Sequence, residues 1–268
     1  MEIIDSHAHL EFPQFENDRA EMLERARAAG VATLLAIGSG TGPARLDAAI
    51  PFAEQHDWIF ASVGIHPHEA KLAEEMHFAE LDRLAHNPRV IAWGEIGLDY
   101  FYDHSPRDVQ EKVFRRQLKQ ARAAQLPIII HCRDAWQDCL GILDEDWRSS
   151  GIGGILHCFT GTVDEARQGI DMGFLISFAG NLTYPKNAPL REVARDLSLE
   201  HILVETDSPF LAPQGFRGKR NEPARVVEVA RCLANVRDLR SEEVALATSA
   251  NFRRFFGLAV QAGSTQDA

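Results

Sequence analysis

Residues 3–9 read IIDSHAH, a short apolar run that ends in two histidines. In a β-strand, side chains at positions i and i+2 point the same way and lie roughly 7 Å apart along the strand. If this run is a strand, His7 and His9 can approach a single cation, because imidazole is a common ligand of divalent metals. Such a pair alone is a weak indication of a metal site, and it gains weight only from partners elsewhere in the chain.

Seven further segments of the chain are strand-like. They recur about every 20 to 40 residues, and most are apolar throughout, as expected of parallel strands that are covered on both faces. The eight predicted strands are residues 3–7, 33–38, 59–64, 90–95, 127–131, 154–157, 174–178 and 202–205.

Helix signals separate these strands. Residues 17–29, 107–125 and 241–257 are predicted helices, and the capping-box sequence TVDE at 162–165 indicates the start of another. Ser105 is the predicted N-cap of the longest of them, with proline at the first helical position. The chain therefore alternates strands and helices from end to end.

Eight strand–helix units indicate a (β/α)8 TIM barrel that forms one domain over residues 1–268, with residues 260–268 as a frayed tail. An open doubly wound sheet is the alternative, but it would gather its ligands at a switch point between two or three strands. Here the ligand-type side chains end strands 1, 4, 5, 6 and 8, and only barrel closure brings strand 8 beside strand 1. They are His7, His9, Glu95, His131, His157 and Asp207.

This set predicts a two-metal hydrolytic site at the C-terminal mouth of the barrel. We assign the two histidines of strand 1 and Asp207 to one cation, and His131 and His157 to a second. Glu95 would bridge them, because a carboxylate has two oxygens and can hold cations roughly 3.5–4 Å apart. Such a pair activates a water at neutral pH, and Asp207 can orient or deprotonate that water. Asp207 and Glu95 are thus the predicted catalytic residues.

Two more side chains near the predicted mouth are candidates for substrate contact. His66 follows strand 3 and can contact a phosphate or support a metal ligand, whereas His68 is predicted to be solvated at the start of the next helix. Arg133 lies two residues after His131 and can either clamp a phosphate or form a structural ion pair near Asp134.

The loop at 215–223 follows strand 8 and is the basic, glycine-bearing segment nearest the mouth. Its Phe216 can stack on a nucleic-acid base, and a simply solvated loop is the alternative. The cations of this loop, which are candidate phosphate contacts, are Arg217, Lys219 and Arg220.

Composition limits these hypotheses. The 268 residues have a net charge of −11, which disfavours a nucleic-acid partner because such proteins usually present a basic surface, although net charge says little about one cleft. No stretch approaches the ~20 apolar residues of a membrane span. The N-terminus lacks a signal peptide, and the four cysteines lack disulfide-framework spacing. We therefore expect a cytoplasmic protein with no membrane partner, and a monomer is the favoured oligomeric state.

Seven short motifs run through most of the chain. They are DSHAHL (5–10), GIHP (64–67), GEIGLD (94–99), IHCRDA (130–135), HCFTG (157–161), ETDSP (205–209) and RNEP (220–223). Together they resemble the TatD family of metal-dependent deoxyribonucleases, within the amidohydrolase-like barrels. The resemblance implies hydrolysis of DNA phosphodiester bonds, with single-stranded DNA as the favoured substrate and an exonuclease as the favoured activity. It also implies that the six ligand positions named above bind metal, with Glu95 standing where related amidohydrolases carry a carboxylated lysine.

Two other functions fit the residues. A two-metal hydrolase of a small amide, lactone or phosphoester would use the same ligands, and the acidic composition slightly favours it. A non-catalytic metal-binding protein is disfavoured, since it need not retain every ligand and a candidate base. Two divalent cations are expected in either enzyme: four histidines suit zinc or manganese, and two carboxylates suit magnesium.

Overall fold

The computed structural model describes residues 1–39 and 42–259. Within them, eight parallel strands form one sheet in chain order. Each strand but the last is joined to the next by helical segments, and the sheet curls into a nearly closed barrel, which confirms the predicted (β/α)8 fold. The strands are β1 (Ile3–Ala8), β2 (Val31–Ala36), β3 (Ile59–Val63), β4 (Val90–Asp99), β5 (Ile128–Arg133), β6 (Gly154–Leu156), β7 (Phe174–Phe178) and β8 (Ile202–Val204).

The helices of the described residues agree with the sequence signals in most places. The capping box before α6 is present, with Thr162 Oγ1 accepting from the Glu165 N–H at 3.3 Å. The predicted N-cap role of Ser105 is wrong, because its hydroxyl donates to the His68 carbonyl and accepts from the Lys71 N–H instead. The helices are α1 (Arg19–Ala28), α2 (Ile50–Gln55), α3 (Glu75–Leu84), α4 (Arg107–Ala124), α5 (Trp136–Asp146), α6 (Val163–Asp171), α7 (Ala188–Asp196), α8 (Val226–Val236) and α9 (Ser241–Phe256).

Strand β4 continues four residues beyond its predicted end at Glu95. Gly97 makes this possible, because it adopts a φ of +136° and a Cβ there would lie 2.1 Å from the His131 carbonyl oxygen. The close approach keeps β4 hydrogen-bonded to β5 as far as Asp99 and Arg133. The extension brings a second carboxylate of β4 to the mouth.

Apolar side chains fill the barrel interior below the mouth, as in other barrels of this type. Phe252 of α9 packs against this layer and is fully buried. The interior layer consists of Ile4, Leu35, Ile37, Ala92, Ile129, Ile155, Leu175 and Leu203.

Among residues 1–39 and 42–259, none of the helices combines the length and the apolar character that a membrane span requires. The predicted frayed tail at 260–268 lies outside the described residues.

The seam between β1 and β8 closes the barrel at the level of the candidate ligands. The Asp207 N–H donates to the His7 carbonyl at 3.0 Å, and the His9 N–H donates to the Ser208 carbonyl at 2.8 Å. Buried Asp5 of β1 also accepts from both the N–H and the hydroxyl of Thr206, at 2.9 and 2.6 Å. Because these bonds connect the two strand ends directly, they hold the ligands of β1 and Asp207 in register.

Candidate metal centre

The first group of candidate ligands joins the two ends of the seam to β4. His7 Nε2 and His9 Nε2 lie 3.3 Å apart, and each lies 3.4–3.8 Å from Glu95 Oε2 and from Asp207 Oδ1. The donor atoms of His7, His9 and Glu95 all lie within 4.8 Å of one another, and three atoms about 3.5 Å apart have a common centre about 2 Å from each, which is the usual length of a metal bond to nitrogen or oxygen. The spacing of this group therefore fits a divalent cation.

The second group surrounds the other oxygen of the same carboxylate. Glu95 Oε1 lies 2.8 Å from His131 Nδ1, 2.7 Å from His157 Nε2 and 3.3 Å from His66 Nε2. The donor types suit a metal, but the two shorter distances are those of hydrogen bonds, so this group must open slightly to admit one. The two oxygens of Glu95 thus face two different sets of histidines.

Two buried carboxylates, neither of which is among the predicted site residues, orient these histidines. Asp99 Oδ2 lies 2.9 Å from His131 Nε2 and 2.8 Å from His68 Nε2. Glu205 Oε1 lies 3.2 Å from His157 Nδ1. Such contacts fix the ring orientation of a metal ligand. The prediction that His68 is solvated is wrong, because this bond to Asp99 holds it against the site.

The alternation of side chains along a strand could have identified both carboxylates. Asp99 is four residues after Glu95 on β4, so the two share a face. Glu205 is two residues before Asp207. The prediction takes one carboxylate at each of these two strand ends, Glu95 but not Asp99 and Asp207 but not Glu205, and therefore misses the residues that support the ligands.

Electrostatics keep the carboxylates of the centre anionic. Burial raises the pKa of Glu95, but His157 and His66 outweigh it and hold the value well below the usual range. Burial likewise raises the pKa of Asp207, but the contact with His9 and the charges of His157 and His7 together outweigh burial and lower it. Burial lowers the pKa of His66 to about 4. Burial also lowers the pKa values of His9, His131 and His157, but their carboxylate partners outweigh it and raise all three above the ordinary value, so metal binding at these imidazoles must displace protons.

Asp207 differs from its partners in backbone and exposure. Its φ of +53° lies in the left-handed region, which aspartate tolerates better than most residues. Its side chain is 13% exposed, whereas those of His7 and Glu95 are 0% and 3% exposed. Within the first group, Asp207 is therefore the ligand candidate most open to an incoming water.

Comparison with known proteins identifies the family. The family model described as TatD related DNase matches residues 4–257. The chain belongs to the TatD family. This confirms the resemblance that its motifs indicate.

Relatives of this TatD-family protein include hydrolases and an exonuclease. The chain is 40% identical over 254 residues to the uncharacterized metal-dependent hydrolase YabD of Bacillus subtilis, covering 95% of this chain and 98% of that protein. It is 36% identical over 248 residues to the 3′-5′ ssDNA/RNA exonuclease TatD of Cronobacter turicensis, covering 91% and 93%. The crystal structure of YJJV, a TatD homologue from Escherichia coli K12, matches with a TM-score of 0.90 at 29% identity, over 96% of this chain and 98% of that one. The protein is thus a member of a family of metal-dependent hydrolases.

The predicted substrate contacts of this TatD-family protein fall into two classes. Arg133 and Arg217 both lie over aromatic rings, Arg133 at 4.0 Å from the centre of Phe101 and Arg217 at 4.3 Å from that of Tyr184. Arg217 and exposed Lys219 line a cleft of about 350 Å³ together with Tyr184 and Lys186. These cations are available to a substrate at the mouth.

Arg220 has a structural role instead. Its guanidinium donates to both oxygens of Asp18, at 2.6 and 2.8 Å, and to the Gln14 carbonyl at 2.7 Å. It also lies 4.7 Å from the centre of the Phe15 ring. Because these three hydrogen bonds hold the guanidinium within the protein, we infer that Arg220 anchors the loop after β8 to the loop before α1, and its predicted phosphate contact stays a prediction.

Proposed function

We propose that this TatD-family protein hydrolyses phosphodiester bonds of single-stranded DNA, as an exonuclease, with two divalent cations. One observation carries the proposal: the two oxygens of Glu95 face two separate sets of histidines. That arrangement is what a carboxylate shared by two cations requires. The exonuclease name of the Cronobacter relative supports the choice of substrate.

The proposed roles follow from position. His7, His9 and Asp207 would hold one cation, His131 and His157 the other, and Glu95 both. When bound, two such cations polarise the phosphodiester and lower the pKa of water. Magnesium, manganese and zinc all suit these ligands.

The remaining chemistry belongs to the chain itself. Asp207 keeps an anionic, partly exposed carboxylate at the mouth, so it can accept the proton of the attacking water. Arg217 and Lys219 can hold a phosphate of the strand at the cleft beside Tyr184. The general base and the phosphate contacts thus face the same opening.

A substrate panel tests this function. The purified protein would be incubated, with added Mg²⁺, Mn²⁺ or Zn²⁺ and with EDTA, on single-stranded DNA, RNA, duplex DNA and a set of small esters, lactones and amides. We expect metal-dependent release of nucleotides from single-stranded DNA. Turnover confined to small substrates would favour the alternative hydrolase, which the net charge of −11 supports. The absence of any turnover with metal bound would favour a non-catalytic protein.

Glu95→Ala should lower the metal content more than His9→Ala. The reason is that His9 contributes one of four donor atoms to the first group, whereas Glu95 contributes an oxygen to each group. Elemental analysis of the purified variants measures the metal bound per chain. If Glu95→Ala still binds two equivalents with unchanged affinity, the bridging role is wrong.

Replacing Arg217 and Lys219 together with alanine should raise KM for single-stranded DNA and flatten its dependence on salt. Contacts to phosphate contribute affinity and salt dependence but no sequence preference. The control replaces Lys112 and Lys119, two exposed lysines of α4, which removes the same charge outside the mouth. Steady-state kinetics at several salt concentrations measures both variants. If KM and its salt dependence change equally in the two variants, the loop does not bind phosphate and is simply solvated.

A further inference from the structure

We infer that two aromatic platforms, one on each side of the metal centre, stack bases of a single-stranded nucleic acid on both sides of the bond that is cut. The first platform is Phe101 with Tyr102, in the loop after β4. The second is Phe210 with Phe12, in the loops after β8 and β1. The inference rests on the proposed function and adds to it the way in which the strand is held.

The first platform is exposed and lies beside the second group of candidate ligands. Phe101 and Tyr102 are 54% and 49% exposed, and their rings meet edge to face with centres 4.8 Å apart. The Tyr102 ring also lies 5.4 Å from that of His68. Arg133 lies over both aromatic rings, at 4.0 and 4.9 Å. Aromatic faces next to a guanidinium are typical of surfaces that bind bases and phosphates of unpaired strands.

Asp99 fixes this platform relative to the metal centre. Its Oδ1 accepts the N–H groups of Phe101 and Tyr102 at 3.0 and 2.8 Å. Its Oδ2 contacts His131 and His68. One buried carboxylate therefore sets both the orientation of a candidate ligand and the position of the platform, which suits a surface that must align a strand with the reacting bond.

The second platform lies beside the first group of candidate ligands. Phe210 is 42% exposed and three residues after Asp207, and its N–H donates to the Asp207 carbonyl at 2.8 Å. Its ring meets that of Phe12 edge to face at 5.3 Å. Both rings in turn contact the His9 ring, at 6.1 and 5.2 Å. The two platforms therefore border opposite halves of the centre.

The distribution of exposed rings favours a base as the occupant. Phe101, Tyr102 and Phe210 are the exposed aromatic residues of the described chain, and all three lie in loops at this mouth. The other exposed large apolar side chains of the described residues are leucines and methionines. A small ester offers no base to either platform, and a duplex keeps its bases stacked on one another. A single strand offers free base faces on both sides of a phosphate.

The test combines protein variants with substrates that lack one base. Phe101→Leu and Phe210→Leu keep an apolar side chain but remove the ring, and Phe101→Trp and Phe210→Trp keep a ring. Each would be assayed on a short single-stranded DNA and on the same strand with a stable abasic residue at the first, second or third nucleotide from the 3′ end. We expect each leucine variant to raise KM about tenfold on the intact strand, the scale of one base–aromatic stack. One of the abasic strands lacks the base that the altered platform stacks, and on that strand the leucine variant and the unaltered protein should have the same KM. The tryptophan variants should have a KM near that of the unaltered protein on the intact strand.

Leu246→Ala is the control, because this side chain is 70% exposed on α9 at a position outside the mouth. Thermal unfolding of every variant monitors the fold. An equal loss on intact and abasic strands would overturn the inference, since it would mean that the ring supports the centre rather than a base. If the unaltered protein cleaves no nucleic acid, the proposed function is wrong. If it cleaves DNA but the effect of the leucine variants on KM does not depend on the presence of a base, the proposed function stands and only the inference about the platforms is wrong.

Discussion

Removing divalent cations with EDTA should abolish hydrolysis by this protein while leaving the barrel folded. The ligand candidates all lie at strand ends, above an interior filled by apolar side chains of the strands and closed by Phe252. Burial of apolar surface contributes most of the stability of such a fold. In the proposed function the cations are needed for the reaction, because they would polarise the phosphodiester.

Two measurements on the same sample check this expectation. Far-ultraviolet circular dichroism with thermal unfolding reports the fold, and nucleotide release from single-stranded DNA reports activity. Adding back Mg²⁺, Mn²⁺ or Zn²⁺ one at a time should restore turnover and identify the preferred metal. Full activity in EDTA, or global unfolding of the chelated protein, would contradict the separation of fold from function.

The sequence predicts the barrel well because its evidence is periodic. Each strand is an apolar run of the length that a buried parallel strand needs, and the ligand-type residues follow those runs. Where the prediction misses, the cause is local. Strand β4 continues beyond its apolar run because Gly97 adopts a positive φ and lies close to the His131 carbonyl, where a Cβ would not fit. The apolar pattern does not report such an approach and predicts that the strand ends at Glu95, so Asp99 receives no role although alternation along the longer strand places it on the face of Glu95.

The substrate contacts were harder to predict, because they depend on side-chain partners far away in sequence. Arg220 looks like its neighbours in the basic loop, yet Asp18, some 200 positions earlier, binds its guanidinium. Among residues 1–39 and 42–259, Arg217 has no such bond to an acidic side chain, and it lies over Tyr184 at the cleft. The exposure of Phe101 and Phe210 is equally invisible in the sequence, since phenylalanine is usually buried. Long-range pairing, and not local composition, thus separates binding residues from structural ones.

Asp207→Asn should lower kcat on single-stranded DNA by about 100-fold or more, the scale of a positioned general base. An amide still offers one oxygen near His7 and His9, but it cannot accept the proton of a water. Asp207 is also the most exposed residue of the first group, and the fully buried Asp5 and Glu205 cannot easily take its place. The loss should therefore appear in kcat more than in metal content.

The control is Asp103→Asn, which removes the same charge from the loop after β4 and should leave kcat near that of the unaltered protein. Asp103 pairs with Arg107 outside the centre and has a φ of +49°, which asparagine also tolerates. Metal stoichiometry and kcat at saturating metal would be measured for both variants. Near-normal turnover of Asp207→Asn with two cations bound would remove Asp207 as the base. A large loss of turnover with the metal retained would support the proposed base role of its carboxylate, because the amide keeps the shape of the side chain but has neither its charge nor its basicity.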